Sequence, residues 1–282
     1  MRLVHTIAEV RREVAAWRSR GETVAFVPTM GNLHAGHLDL VTEARAKADR
    51  VVASIFVNPL QFGPNEDFDR YPRTLSDDCL RLDPVGCDLV FAPSVDEMYP
   101  RGRLNLSQVA VPGISQLLEG EFRPGFFEGV ATVVSILFHI VQPDVAMFGR
   151  KDFQQLMVVR RMVSDLHMPL TIVGVPTRRE PDGLAMSSRN QYLSPDERSL
   201  APGLYRALSA VAQRLRSGSR DFAVLEDEAR KLLEHQGFKP QYFVIRNADD
   251  LGPPAPSSRS WVLLVAAHLG RTRLIDNLEV SA

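Results

Sequence analysis

Short apolar runs alternate along the chain with longer stretches in which apolar residues recur every three or four positions. The runs are "TVAFVP" (23–28), "VVASIFVNP" (51–59), "DLVFAP" (88–93), "DVAMFG" (144–149) and "LTIVGVP" (170–176). Their apolar character is too continuous for a strand with one wet face, so each predicts a buried strand. Pro28 predicts the end of the first. Helical spacing covers 37–48, where Leu40, Val41, Ala44 and Ala48 share a face, and then 74–83, 128–141 and 152–166. Thr6-x-x-Glu9 is a capping box that opens an amphipathic helix within residues 1–20, and Gly21 follows it.

Buried strands alternating with helices predict an α/β fold, a Rossmann-like open parallel sheet with helices on both faces. Such sheets bind ligands outside the carboxyl ends of their strands. The loops after Val27, Val57, Phe148 and Val175 are therefore the ones to read for chemistry. After about residue 177 the pattern changes. Ser194-Pro195-Asp196-Glu197 is a second capping box, opening a helix with Leu200, Leu204, Leu208, Val211 and Leu215 on one face. A helix over about 221–235 and strands at 242–246, 260–269 and 272–277 follow, with a proline-rich loop at 251–259. We expect a domain at 1–176 and a smaller α+β C-terminal domain at 177–282.

Charge narrows the partners. The 33 basic and 34 acidic residues give a formal net charge of -1, so no field of one sign points to nucleic acid or an anionic membrane. Apolar stretches such as 130–141 are too short or interrupted to span a bilayer. Residues 1–20 lack the apolar stretch and cleavage site of a signal peptide, so the expected location is cytoplasmic. Cys79 and Cys87 form no CxxC motif and are expected to be free thiols.

Four loops carry candidate chemistry. In "VPTMGNLHAGHLDLV" (27–41), Pro28, Gly31 and Gly36 permit a sharp turn and close approach, and the helix that follows offers N–H groups to an anion. His34 and His37 could add donors there, or be surface histidines of a plain turn. In "FGRKDFQQL" (148–156), Gly149 allows close approach and Lys151 suits phosphate, while Asp152 fits an N-cap and Arg150 with Lys151 fits a solvated pair. Gln155 lies one turn on. In "DGLAMSSRNQYL" (182–193), two hydroxyls and a guanidinium suit phosphate oxygens, or a serine-capped turn. In "SIFVNPLQFGPNEDFDRYPRT" (54–74), the amides of Asn58 and Gln61 suit a small polar substrate, or simple turn chemistry.

A His-x-x-His at the first strand–helix turn together with a Met-Ser-Ser-Arg loop after the last sheet strand resembles the HIGH/KMSKS nucleotidylyl transferase superfamily. Longer blocks, among them "VPTMGNLHAGH", "SIFVNPLQF", "KDFQQL", "DGLAMSSRNQYL", "LVAAHLG" and "TRLIDN", are similar to the pantothenate synthetase (pantoate–β-alanine ligase) family over essentially the whole chain. The resemblance implies a C–N bond-forming ligase. Pantoate and ATP would give pantoyl adenylate and pyrophosphate, and β-alanine would then give pantothenate and AMP. It implies ATP as co-substrate, Mg2+, and a homodimer without nucleic-acid or membrane partners.

Carried over by motif, Met30, Gly31, Asn32, Leu33, His34, Ala35, Gly36 and His37 would line the ATP site, with a proton-donor role for His37. Gly149, Arg150, Lys151, Asp152 and Arg178 would join them, and Met186, Ser187, Ser188 and Arg189 would close over the triphosphate. Catalytic weight would fall on His34, His37, Lys151, Ser187, Ser188 and Arg189. Thr29, Gln61 and Gln155 would hold pantoate, with Gln61 also near β-alanine. Metal ligands stay open among Asp77, Asp78 and Asp152.

The chain departs from the family pattern at "RPGFFEG" (123–129), where the family has Arg-Pro-Gly-His-Phe-Arg-Gly, and at "GRKD", where it has Gly-Glu-Lys-Asp. Phe126 thus replaces histidine, and Glu128 and Arg150 exchange signs. A reversed Glu128–Arg150 salt bridge is one expectation, and independent drift the other. Arg178 replaces an apolar residue, which predicts main-chain contact with ATP at that position. Two alternatives remain: a catalytically silent nucleotide-binding homologue, and another nucleotidylyl transferase such as a cytidylyltransferase.

Overall fold

Six strands of the computed structural model lie parallel in the order β1-β4-β3-β2-β5-β6. They are β1 (Arg2–Val4), β2 (Val24–Thr29), β3 (Arg50–Ile55), β4 (Leu89–Phe91), β5 (Val145–Gly149) and β6 (Thr171–Val175). The structure describes residues 1–64, 66–255 and 257–282; Asn65, inside the 54–74 segment, and Pro256, inside the 251–259 loop, lie outside the described residues. The helices of this part are α1 (Ile7–Arg18), α2 (Ala35–Arg45), α3 (Leu75–Leu82), α4 (Val95–Met98), α5 (Glu119–Phe122), α6 (Phe126–Val141) and α7 (Phe153–Asp165).

Alternation along each strand sorts side chains to two faces. Phe26, Val52, Leu89, Phe91 and Ala146 pack with α1, α6 and α7 residues such as Val14, Phe138 and Met162. Ala25, Val27, Val51, Ala53, Val90 and Met147 pack with Leu40, Val41 and Ala44 of α2 on the other. Both faces are covered, which is why the strands read as continuous apolar runs. The strand order reverses between β2 and β5, so the sheet has its topological switch point there, beside the 30–34 loop and Gly149.

Three local expectations are corrected. Residues 2–4, read within the amphipathic stretch 1–20, form a strand that pairs with β4 at the sheet edge, while α1 opens at the Thr6 capping box as expected. Pro28 does not end β2, which runs to Thr29. The Thr29 carbonyl accepts from Phe56 N–H, so Pro28 faces the other side, where pairing with β5 has already stopped at Phe26. No partner there asks for the N–H that proline lacks. The helix after Ser194 is two helices, α8 (Pro195–Leu200) and α9 (Gly203–Arg216), broken at Pro202.

Contacts divide the chain into one unit of residues 1–150 with 154–176 and a second of 151–153 with 177–282. In the second, α9 and α10 (Phe222–His235) cover an antiparallel sheet β7-β8-β9, with β7 (Lys239–Asn247), β8 (Ser260–Leu269) and β9 (Thr272–Ser281). Leu204, Leu208, Val211 and Leu215 pack there against Phe243, Trp261, Leu263 and Val265. Both cysteines are free thiols.

Candidate active site

The loop after β2 turns through two left-handed residues, Gly31 at φ 83° and Asn32 at φ 50°. Glycine is required at 31 for a second reason. A Cβ there would sit 3.0 Å from Asp78 Oδ2 and 3.0 Å from Ile55 Cγ2. Asp78, buried on α3, accepts the N–H of Leu33 at 2.8 Å on one oxygen, and the N–H of Asn32 at 3.0 Å and the Thr74 hydroxyl at 3.1 Å on the other. Both oxygens are occupied by the loop. Asp78, a candidate metal ligand by sequence, is the carboxylate that shapes this turn.

The turn delivers His34 as the N-cap of α2, with His37 three residues on. The two rings lie against each other at a 40° tilt, 4.0 Å between centroids. His34 N–H donates to His37 Nδ1 at 3.2 Å. A nitrogen that accepts carries no proton, so the neutral His37 ring holds its proton on Nε2 and presents a donor. The first intrahelical bond is His37 N–H to the His34 carbonyl at 2.8 Å. Ala35 and Gly36 precede it, so their N–H groups are what this helix end offers an anion. Thr29 is engaged differently. Its hydroxyl donates to the Ser54 carbonyl at 2.7 Å and accepts Gly31 N–H at 3.2 Å.

The second loop orients an amide. Asn58 is buried, its Oδ1 taking Tyr99 O–H at 2.7 Å and Leu60 N–H at 3.2 Å, and its Nδ2 donating to the Gly129 carbonyl at 3.1 Å. A carbonyl only accepts and an N–H only donates, so the Asn58 amide has one possible orientation. Nδ2 also donates to Gln61 Oε1 at 3.1 Å, which turns Gln61 Nε2 towards Met30 Sδ at 3.2 Å. Gln61 therefore stands beside the first loop as a donor. Tyr99 is buried too, which pushes its phenol well above the usual tyrosine range and keeps it a donor. Gly129 makes the approach possible: a Cβ there would lie 2.3 Å from the Leu60 carbonyl oxygen.

Arg123 holds the same loop from outside. It pairs with Glu66 through two bonds of 2.6 Å and donates to the Gln61 carbonyl at 3.2 Å. Its guanidinium lies 3.6 Å from the centroid of Phe126. The residue that replaces the family histidine thus has a defined partner, through a cation–π contact. The expected Glu128–Arg150 bridge does not form among the described residues. Arg150 Nε instead donates to the Gly174 carbonyl on β6 at 3.1 Å, directly after the strand that ends at Gly149. A Cβ at Gly149 would meet nothing within 4 Å, so packing does not demand glycine there. Of the two glutamines that follow, Gln154 is buried and saturated by Glu119 N–H and the carbonyls of Ile114 and Leu117. Gln155 is half-buried.

Lys151 and Asp152 belong to the second unit, as does the 178–190 segment. Arg179 pairs with Ala185 across a tight hairpin, and the Arg178 carbonyl accepts Met186 N–H at 3.0 Å. Gly183 closes the turn at φ 94°, where a Cβ would lie 2.5 Å from the Tyr205 ring. The chain emerges as Met186-Ser187-Ser188-Arg189, with Ser187 capping a 3-10 turn by accepting Arg189 N–H at 3.3 Å. Asn190 Nδ2 returns to the Ala185 carbonyl at 3.0 Å. Asn277 on β9 donates from Nδ2 to the Lys151 carbonyl at 2.7 Å.

Among the described residues, no three His, Cys, Asp or Glu side chains come together as a metal cage. No helix of the structure is long and apolar enough to cross a membrane. Sequence reasoning missed Tyr99 and Arg179, and read Asn58 as a substrate-facing amide or a turn residue rather than as the buried amide that orients Gln61. Their roles depend on partners far along the chain.

Residues 2–279 match the protein-family model described as pantoate-beta-alanine ligase. The chain is 58% identical over 280 residues to a pantothenate synthetase of Stutzerimonas stutzeri, covering 99% of this chain and 98% of that protein. It is 59% identical over 275 residues to one from Chromohalobacter salexigens, covering 98% and 97%. Among solved structures, a pantothenate synthetase from Thermus thermophilus superposes with a TM-score of 0.94 at 50% identity, covering 100% of both chains. A pantoate-beta-alanine ligase from Francisella tularensis, complexed with beta-gamma ATP and beta-alanine, gives a TM-score of 0.81 at 34% identity, covering 99% and 97%. With a match over nearly its full length and relatives above half identity, the chain belongs to the pantoate-beta-alanine ligase family.

Proposed function

We propose that this chain condenses pantoate with β-alanine to pantothenate at the expense of ATP, through pantoyl adenylate. The observation that carries the reading is the close-packed His34–His37 pair at the N-terminus of α2, with the oriented Gln61 amide against Met30 of the same loop. In the first step a pantoate carboxylate oxygen bonds to the α-phosphorus of ATP, and the bond to pyrophosphate breaks. In the second the β-alanine amine attacks the acyl carbon, loses a proton, and AMP leaves. A carboxylate is already nucleophilic at neutral pH, so the protein's part is positioning and charge stabilisation.

His34, His37 and the N–H groups of Ala35 and Gly36 suit phosphate oxygens from one loop. Lys151, Ser187, Ser188 and Arg189 suit them from two others. The Nε2–H tautomer of His37 favours a standing hydrogen bond over net proton transfer. Gln61 Nε2, and Gln155 on α7, suit the oxygens of pantoate; Gln61 also suits β-alanine. Thr29 contributes to that pocket by shape, since its hydroxyl is engaged with Ser54 and Gly31. The mixed anhydride must be shielded from water, a task for the 60–75 loop or for the Met186–Arg189 segment with the second domain. Magnesium would enter on the triphosphate, with no cage of three protein side chains among the described residues to hold it. A cytoplasmic homodimer completes the reading.

The silent-homologue alternative gains nothing from the departures. Phe126 is seated under Arg123, and Arg150 is engaged with a main-chain carbonyl of β6. Pantoate-dependent exchange of labelled pyrophosphate into ATP, followed by β-alanine-dependent AMP release, tests the assignment. Both are expected. Folded protein without exchange would overturn it.

A further inference from the structure

Lys151 and the Met186–Arg189 segment, both assigned above to the nucleotide, are fastened to two adjacent residues of β9. Asn277 reaches one of them, donating from Nδ2 to the Lys151 carbonyl at 2.7 Å. Asp276 reaches the other through Arg179, whose guanidinium meets its two oxygens at 2.7 and 3.0 Å. The same guanidinium donates to the carbonyls of Gly183 and Asn277, each at 3.1 Å, and stacks on Tyr205 at 3.9 Å. Gly183 and Arg179 belong to the hairpin that leads directly into Met186. The network closes on itself, because Asp276 Oδ1 also accepts Asn277 N–H at 2.8 Å.

Asp276 and Asn277 are 4% and 5% exposed on a strand whose neighbours are mostly apolar. An ion pair and an amide are poor means of stabilising such a strand, since well-packed apolar residues of similar size do as well or better. What apolar residues lack is the ability to fix two main-chain segments by direction. A lysine on a four-carbon stem depends on its backbone for placement, and a site for phosphoryl chemistry tolerates displacements of only about half an ångström. Burial pushes the Asp276 carboxyl upward, while Arg179 and Lys151 pull it back towards the charged form, so Lys151 lies within the field of this carboxylate.

We propose that Asp276 and Asn277 are positioning residues of the adenylation step, holding Lys151 and the Met186–Arg189 segment in one register for the triphosphate. The proposal rests on the ligase reading above. Its prediction is specific to one half-reaction: what is disturbed is the handling of ATP, not the attack of β-alanine on an adenylate already made.

The test uses the full chain with Asn277→Asp, which keeps shape but turns an acceptor towards the Lys151 carbonyl, and Asn277→Ala, which removes the donor without adding charge. Pantoate-dependent pyrophosphate exchange is expected to fall about tenfold or more in each, with the KM for pantoate unchanged. Conversion of supplied pantoyl adenylate by β-alanine is expected to stay within about threefold, measured on variants shown by circular dichroism to be folded at the assay temperature. In a Lys151→Ala background, Asn277→Ala is expected to cost less than about threefold further, because residues acting through one another are not additive. Equal loss in both half-reactions, or full loss in the Lys151→Ala background, would overturn the proposal. If Asn277→Asp does not fold, Asn277→Ala decides alone. Wild-type protein that exchanges pyrophosphate while both variants match it removes this inference only; wild-type protein without exchange removes the ligase reading as well.

Discussion

Two sets of loops, one in each unit, are held in opposite electrical senses. Before α2 the chain turns its N–H groups inward, and a buried carboxylate, Asp78, takes those of Asn32 and Leu33. At 151 and 183 it is carbonyl oxygens that need partners, and the donors Asn277 and Arg179 take them. The difference follows from local geometry. A helix start leaves a surplus of N–H groups, and a strand end or hairpin leaves carbonyls. Each anchor absorbs the surplus that its loop does not offer to a ligand. At the helix start Asp78 takes the inner donors, leaving Ala35 and Gly36 for an anion. A carboxylate near a triphosphate would be adverse if exposed, and here both oxygens are occupied by the loop.

The comparison can be broken most directly at the second anchor. Asp276→Ala leaves Arg179 without its carboxylate in a mostly buried position, and should cost about 3–5 kcal/mol in urea unfolding. A loss under about 1 kcal/mol would show that the pair anchors nothing. Next in size is a change on the ligand side of the first loop. His37→Ala should slow pyrophosphate exchange by about 10²–10³-fold, while His37→Gln, which keeps an N–H donor, should recover much of it. Equal impairment in the two would favour proton transfer over a standing hydrogen bond. Smallest is Asp78→Asn, which keeps one acceptor but turns an amide N–H against the loop's own donors. Unfolding free energy should fall by about 1–3 kcal/mol, with exchange reduced alongside it. Unchanged stability would mean that Gly31 and Asn32 hold the turn unaided.

The sheet was legible because both its faces are buried, so its inner strands stand out as apolar runs. β1 was not, being only Arg2–Val4 with Arg2 and Leu3 exposed at the sheet edge. Pro28 misled because its tolerance depends on where β5 stops pairing, which no local pattern reports. His34 and His37 were legible, since their spacing at a strand–helix turn is a local feature. The anchors were not. Asp78 lies 45 residues from Leu33, and Arg179 lies 97 residues from Asp276, so nothing in the surrounding sequence separates these charges from solvated ones. Gln154 and Gln155 are adjacent and alike in sequence. Main-chain partners brought from Ile114, Leu117 and Glu119 distinguish a packing amide from a candidate ligand.

One property of Asp78 and Asn277 bears on how this protein can change. Both grip the backbone of the loop they serve, through N–H groups in one case and a carbonyl in the other. A backbone grip is indifferent to side-chain identity. Nucleotide preference could therefore drift, or be evolved in the laboratory, by varying what the loops display while their paths stay constant. A library that randomises the displayed residues but spares Asp78, Arg179, Asp276 and Asn277 would explore new chemistry on an inherited frame.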